Sequence, residues 1–127
     1  MKQQIRTSDA PQPSGAYSQG IRAGDLVFVA GQAAFDPATD ALVGETIEEQ
    51  TERTLKNIEA ILRAAGGSLE DVVKVTAHLS SMDLFERFDA AYGRALPAVK
   101  PVRTTVASGI GDALVEIDVV AYVPVEQ

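Results

Sequence analysis

The sequence predicts an α+β two-layer sandwich, a sheet covered on one face by two amphipathic helices. Three observations predict it. Strand-like and helix-like segments follow one another in the order β-β-(β)-α-β-α-β-β. Two long helices can cover only one face of such a sheet. The last strand is nevertheless apolar on both faces, with Val115, Ile117, Val119, Ala121 and Val123 on one and Leu114, Val120 and Tyr122 on the other. A two-layer fold with a doubly apolar strand leaves a face bare, and the simplest cover is a second copy of the chain. At 127 residues the chain is one domain by length, and at 46% hydrophobic it can bury a core.

Each element has its own signal. Residues 8–16, S-D-A-P-Q-P-S-G-A, are turn-rich and read as an ordered lead-in. Residues 17–22 fit a short strand, and Ala23-Gly24-Asp25 a turn. Residues 26–31, L-V-F-V-A-G, read as a buried strand by their β-branched and aromatic content. The turn at residues 36–40 precedes a brief apolar Ala41-Leu42-Val43. Thr46-Ile47-Glu48-Glu49 is a capping box, and Leu55, Ile58, Ile61 and Leu62 recur behind it at helical spacing until Gly66 and Gly67. Ser68-Leu69-Glu70-Asp71 repeats the capping signature over about one turn. Residues 72–79 alternate, with Val73, Val75, Ala77 and Leu79 expected on one face and Lys74, Thr76 and His78 on the other. Asp83-Leu84-Phe85-Glu86 reads as a third box, opening a helix with Phe88, Ala91 and Tyr92. Pro97 and Pro101 punctuate its exit. A hairpin-like stretch over residues 101–124 closes the chain.

Composition excludes several functions. The net charge is -7 and the eleven basic residues are scattered, which argues against nucleic acid and against an anionic membrane surface. Without cysteine there is no disulfide, no thiolate catalysis and no thiolate metal site. The start, M-K-Q-Q-I-R-T-S-D-A-P, has no apolar signal core, and no run approaches transmembrane length. The expectation is a soluble cytoplasmic protein.

Most motif-like fragments have plain structural readings. Ala16-Tyr17-Ser18-Gln19-Gly20 resembles a nucleophile elbow but lacks the helix that must follow. His78 is the only imidazole, too little for a transition-metal site, and reads as a surface or partner-bonded histidine. Gly109-Ile110-Gly111-Asp112 begins like a dinucleotide fingerprint but lacks the third glycine and the helix, so it is a turn. Glu48, Glu49 and Glu52 favour the macrodipole of the helix they begin. Asp36 and Asp40 bracket a turn with too few oxygens for calcium.

Arg103 and Glu116 stand apart, as ionised groups inside apolar strands flanking one short loop. They are either a structural ion pair or a site. As antiparallel neighbours they share a face only if paired residue numbers sum to an odd value, and the loop leaves that register open. As a site, Arg103 offers a planar fork to a carboxylate and Glu116 a base for water.

The whole chain resembles the RidA/YjgF family of enamine/imine deaminases. The matching fragments are Asp9-Ala10-Pro11 with Gly15-Ala16-Tyr17-Ser18-Gln19; Val27-Phe28-Val29-Ala30-Gly31-Gln32; Glu49-Gln50-Thr51 through Asn57-Ile58; Ala65-Gly66 through Val73; Pro101-Val102-Arg103; and Leu114-Val115-Glu116-Ile117. Their order and spacing carry the resemblance. It implies a chorismate-mutase-like fold with a mixed sheet, a homotrimer, and active sites in clefts between subunits. It implies hydrolysis of 2-aminoacrylate, its tautomer 2-iminopropionate, and 2-iminobutyrate to 2-keto acids and ammonia, without metal or organic cofactor. Arg103 would grip the substrate carboxylate, Glu116 would activate water, and Tyr17 would line the cleft and offer a hydroxyl. Ala30, Gly31, Phe88, Asp89 and Thr105 complete the implied substrate pocket.

Departures from the best-known subgroup fall in that pocket. Ala30 stands where those deaminases have Ser, Asp89 where they have Asn, and Thr105 where they have Cys. Ile110-Gly111 replaces Leu-Pro, and Gly15-Ala16-Tyr17 replaces Gly-Pro-Tyr. These changes alter pocket polarity. Two other functions fit the same residues: a deaminase of a pathway-specific enamine such as aminomuconate, and a non-catalytic, chaperone-like trimer holding small carboxylates. The endoribonuclease label sometimes given to the family sits poorly with the acidic charge.

Overall fold

The computed structural model describes residues 1–126. Its strands are β1 (Lys2–Ile5), β2 (Gly20–Ala23), β3 (Leu26–Gln32), β4 (Val72–Leu79), β5 (Val102–Ala107) and β6 (Val115–Tyr122). Its helices are α1 (Ile47–Ala64) and α2 (Phe85–Ala95). One six-stranded sheet has the order β1-β2-β3-β6-β4-β5. All pairings are antiparallel except β4 with β5, so the sheet is mixed. Both helices cover one face. Ile58, Ile61 and Leu62 of α1 and Phe88 of α2 bury against Val27, Val29, Val75, Ala77, Leu79, Val115, Ile117 and Val119. The other face carries exposed Leu26, Phe28, Val102, Val106 and Tyr122, the bare apolar surface expected from the last strand.

Local chemistry accounts for the element ends. Thr46 caps α1: its hydroxyl accepts from the Glu49 amide at 3.2 Å, and Glu49 Oε1 accepts from the Thr46 amide at 3.2 Å. Ser68 and Asp71 make the same reciprocal cap on the single turn Leu69–Asp71. The cap expected at Asp83 lies elsewhere. Ser81 Oγ accepts from the Asp83 amide at 3.1 Å and opens a tight turn, Met82–Leu84, that runs into α2. The Met82 carbonyl of that turn takes the Phe85 amide, the first of α2, and α2 has no side-chain cap.

Three further expectations change. The polar N-terminal segment carries no strand signal, yet it forms β1, paired only to β2. The strand expected at residues 17–22 starts at Gly20. Val73 does not join Val75, Ala77 and Leu79. The β4–β6 ladder slips between Val72 and Lys74, so Val72 is buried and Val73 is 45% exposed. The largest correction concerns residues 101–124. They are no hairpin, because β4 lies between β5 and β6.

A two-point ion pair ties the helices together. Arg87 Nε and Nη2 donate to Glu48 Oε2 and Oε1 at 2.8 and 2.7 Å. The arginine hydrogen bonds hold the Glu48 carboxyl at about 2, against an ordinary value of 4.5. A depressed acid stabilises the fold above its unfolded value and loses that contribution as pH falls through its folded value. The stability gap between wild type and Glu48→Gln is therefore expected to hold steady above pH 5 and to close between about 4.5 and about 2. Urea titrations across that range check it; a gap unchanged at the lowest pH would count against the tie.

Candidate active site

Glu116 is placed by β6 and shaped by a glycine. It sits on the open face of the sheet, cross-strand from His78. Its carboxylate turns toward β3 and rests against Gly31. A Cβ at residue 31 would lie 2.9 Å from Glu116 Oε2 and 3.1 Å from its Cδ. Only a residue without a side chain leaves that carboxylate its position. The two residues belong to a cleft of about 460 Å³, lined also by Pro11, Ser14, Tyr17, Gln32 and Phe35.

The cleft wall is the lead-in, stapled down by one buried glutamine. Gln19 Oε1 accepts from the Thr7 amide at 2.8 Å, and its Nε2 donates to the carbonyls of Thr7, Ala10 and Pro11 at 3.0, 3.2 and 2.8 Å. Its own carbonyl accepts from the Ala30 amide at 2.9 Å. Tyr17 therefore hangs from a fixed loop. Its hydroxyl accepts from the Ser14 amide at 3.1 Å, and its ring is exposed to the cleft. Ala30 contributes backbone only, its carbonyl accepting from Gln32 Nε2 at 3.2 Å. On the opposite wall, buried Asn57 of α1 donates to the carbonyls of Ala33 and Phe35 at 3.1 and 2.9 Å.

Arg103 lies elsewhere. It pairs in register with Val75 on parallel β4 and β5, so it points to the helix face, whereas Glu116 points to the open face. Its guanidinium packs over three rings of α2, with centroids at 4.7 Å for Tyr92, 5.4 Å for Phe88 and 5.5 Å for Phe85. Asp89 Oδ1 lies 2.8 Å from its Nη1. Burial pushes the Tyr92 phenol above its ordinary value, partly offset by the adjacent guanidinium and reinforced by Asp89. A pocket of about 400 Å³ opens beside this group, lined by Asp89, Tyr92, Gly93, Lys100, Pro101 and Arg103.

The eight residues singled out from the sequence thus form two groups. Glu116, Tyr17, Gly31 and Ala30 gather around the open-face cleft. Arg103, Asp89 and Phe88 gather at the α2–β5 edge, where Phe88 is fully buried and serves as platform for the guanidinium. Thr105, in register with Ala77, shares the helix face with Arg103. Arg103 and Glu116 are not an ion pair within one chain. His78 bonds Ser108 Oγ through Nδ1 at 3.0 Å and has Asp118 Oδ2 at 3.9 Å from Nε2, the partner-bonded histidine expected. Sequence reading missed the parts played by Gln19, Ser14, Gln32 and Asn57. Asn57 alone carried a signal, a polar residue at helical spacing within the buried stripe of Thr54, Ile58 and Ile61.

Residues 7–123 match the protein family described as Endoribonuclease L-PSP. The chain belongs to this family, the RidA/YjgF group. A RutC family protein of Pyrococcus horikoshii is 44% identical over 124 residues, covering 96% of this chain and 98% of that protein. The chloroplastic Reactive Intermediate Deaminase A of Arabidopsis thaliana is 38% identical over 122 residues, covering 94% of this chain and 65% of that protein. The crystal structure of RidA from the Antarctic bacterium Psychrobacter superposes with a TM-score of 0.90 at 36% identity, covering 95% and 99% of the two chains. The α+β fold is thus that of RidA/YjgF structures, and the family includes a reactive-intermediate deaminase. Among the described residues no helix is long and apolar enough to cross a membrane.

Proposed function

We propose that this RidA/YjgF chain hydrolyses short-lived 2-enamine and 2-imine carboxylic acids to 2-keto acids and ammonia, with 2-iminopropionate and 2-iminobutyrate as substrates. The observation that carries this reading is the Glu116 carboxylate, set against Gly31 at a cleft that also holds Tyr17. A carboxylate there can hold a water and take its proton. The water oxygen then bonds to C2 of the protonated imine while the C=N electron pair moves to nitrogen. Glu116 returns the proton to that nitrogen; the C–N bond then breaks as the carbinolamine O–H proton passes to Glu116 and the electrons of that O–H bond form the ketone C=O, releasing ammonia, which takes up that proton, and the 2-keto acid. The imine is already electrophilic, so this route uses no covalent adduct and no cofactor.

Binding requires the other group. Arg103, held flat by three rings, offers its fork to the substrate carboxylate. In one chain that fork and Glu116 face opposite sides of the sheet. A homotrimer whose open sheet faces pack together would bring the α2–β5 edge of one copy against the open-face cleft of the next. The exposed Leu26, Phe28, Val106 and Tyr122 and the unpaired edge of β5 support that assembly. Cytoplasmic placement and a single small-carboxylate ligand complete the reading. The net charge of -7 gives RNA cleavage no electrostatic footing.

The test generates 2-iminobutyrate in situ with an amino-acid dehydratase and follows 2-oxobutyrate release. The expected result is faster release with catalytic amounts of the protein. Release at the spontaneous rate, even with protein in stoichiometric amounts, would overturn the proposal.

A further inference from the structure

We propose that Asp89 is a specificity-determining residue: with Arg103 it forms a dipolar subsite matched to a ligand carrying both a carboxylate and an adjacent cationic nitrogen. The inference rests on the carboxylate-clamp reading of Arg103 and adds the ligand's second group.

The charges at this pocket are few and fixed. Arg103 is pinned by Tyr92, Phe88 and Phe85, so its fork cannot swing away from α2. Its side chain is 19% exposed, whereas that of Asp89 is 51% exposed and reaches the same pocket. The two charges stand 2.8 Å apart at Nη1 and Oδ1. Lys100 also lines the pocket, but its ammonium donates to the carbonyls of Gly93 and Leu96 at 2.7 and 3.0 Å and closes the end of α2. The adjacent charged pair in the pocket is therefore the Arg103 guanidinium and the Asp89 carboxylate, with the Lys100 ammonium engaged by backbone carbonyls.

Such a pair discriminates by charge pattern. A plain carboxylate taking the remaining guanidinium N–H groups meets the repulsion of Asp89 with no positive group of its own to offset it. A zwitterion meets no such penalty: its carboxylate takes the remaining guanidinium N–H groups while its N–H⁺ donates to Asp89. A protonated 2-imino acid has this pattern before hydrolysis. The 2-keto acid left after hydrolysis has lost its cationic nitrogen. Asp89 thus favours the reactant over the product, which an uncharged amide at the same position cannot do by charge.

The experiment compares two stable ligands of the same carbon skeleton, L-2-aminobutyrate and 2-oxobutyrate. Their binding to the full chain is measured by calorimetry or NMR titration for wild type, Asp89→Asn, Asp89→Glu and Arg103→Ala. Wild type is expected to bind the amino acid more tightly. Asp89→Asn is expected to weaken the amino acid and tighten the keto acid, each by about three- to tenfold, the range for a half-exposed charged contact. Asp89→Glu should keep the wild-type order, and Arg103→Ala should weaken both ligands. If Asp89→Asn moves both ligands in the same direction, or neither, while Arg103→Ala weakens both, the Asp89 inference falls and the clamp stands. If neither ligand depends on Arg103, the clamp falls and the inference with it.

Discussion

Gly31→Ala is expected to lose about a hundredfold or more in kcat/KM while the protein stays folded. The new methyl would stand 2.9 Å from Glu116 Oε2, 3.1 Å from Cδ and 3.3 Å from Cγ. Those atoms are the far end of a flexible side chain, so the clash is relieved by moving the carboxylate rather than the sheet. Gly31 is not among the glycines with positive φ, so alanine adds no backbone strain. Displacing a reacting group by about 1 Å costs on the order of a hundredfold in rate. Deamination kinetics with a melting curve check this. A variant with wild-type turnover would sink the role given to Glu116, and one that fails to fold would show the sheet cannot yield here.

Arg103→Ala is expected to cost about a hundred- to a thousandfold in kcat/KM. A charge-assisted carboxylate contact contributes roughly 1.5–3 kcal/mol and a tenfold change equals about 1.4 kcal/mol. Loss of orientation adds to that. Arg103→Lys separates charge from shape. Lysine keeps the charge and some stacking on Tyr92, but not the planar two-point fork. It is expected to recover only part of the loss, chiefly as a raised KM. Steady-state kinetics on both variants decide it, and full activity in Arg103→Lys would mean that only a point charge is needed. Thermal stability should fall modestly in either case, since Asp89 left behind is half exposed.

The two helices were legible because each carries its own periodic stripe, and Thr46 and Ser68 announce their turns through local hydrogen bonds. The two-sided apolar pattern of β6 foretold an open face, because burial on both sides of one strand constrains the layers around it. Strand neighbours were a different matter. Residues 103 and 116 are close in sequence, and proximity argued for a hairpin. Only the long-range match of β4 to both β5 and β6 separates them, and nothing within residues 101–124 encodes that match. The faces of Arg103 and Glu116 followed from that one insertion. The Gln19 staple was hidden too, since a lone glutamine in a turn-rich segment looks like any surface residue until its four hydrogen bonds to Thr7, Ala10 and Pro11 are in place. For the site, residue identities followed from the family resemblance, and their division between two faces from the strand order.

The position of β6 also bears on how the chain comes to be folded. Among the described strands it alone joins the β1-β2-β3 set to the β4-β5 set, and it follows all of them in sequence. A nascent chain that has reached residue 107 has both sets but nothing between them. Each presents an open edge that β6 later fills on both sides, a state prone to wrong pairing with another nascent chain. Completion of the sheet waits for residues 115–122 to leave the ribosome. The pairing of Leu26 with Tyr122 then joins segments far apart in the chain, the kind of non-local closure that makes folding slow.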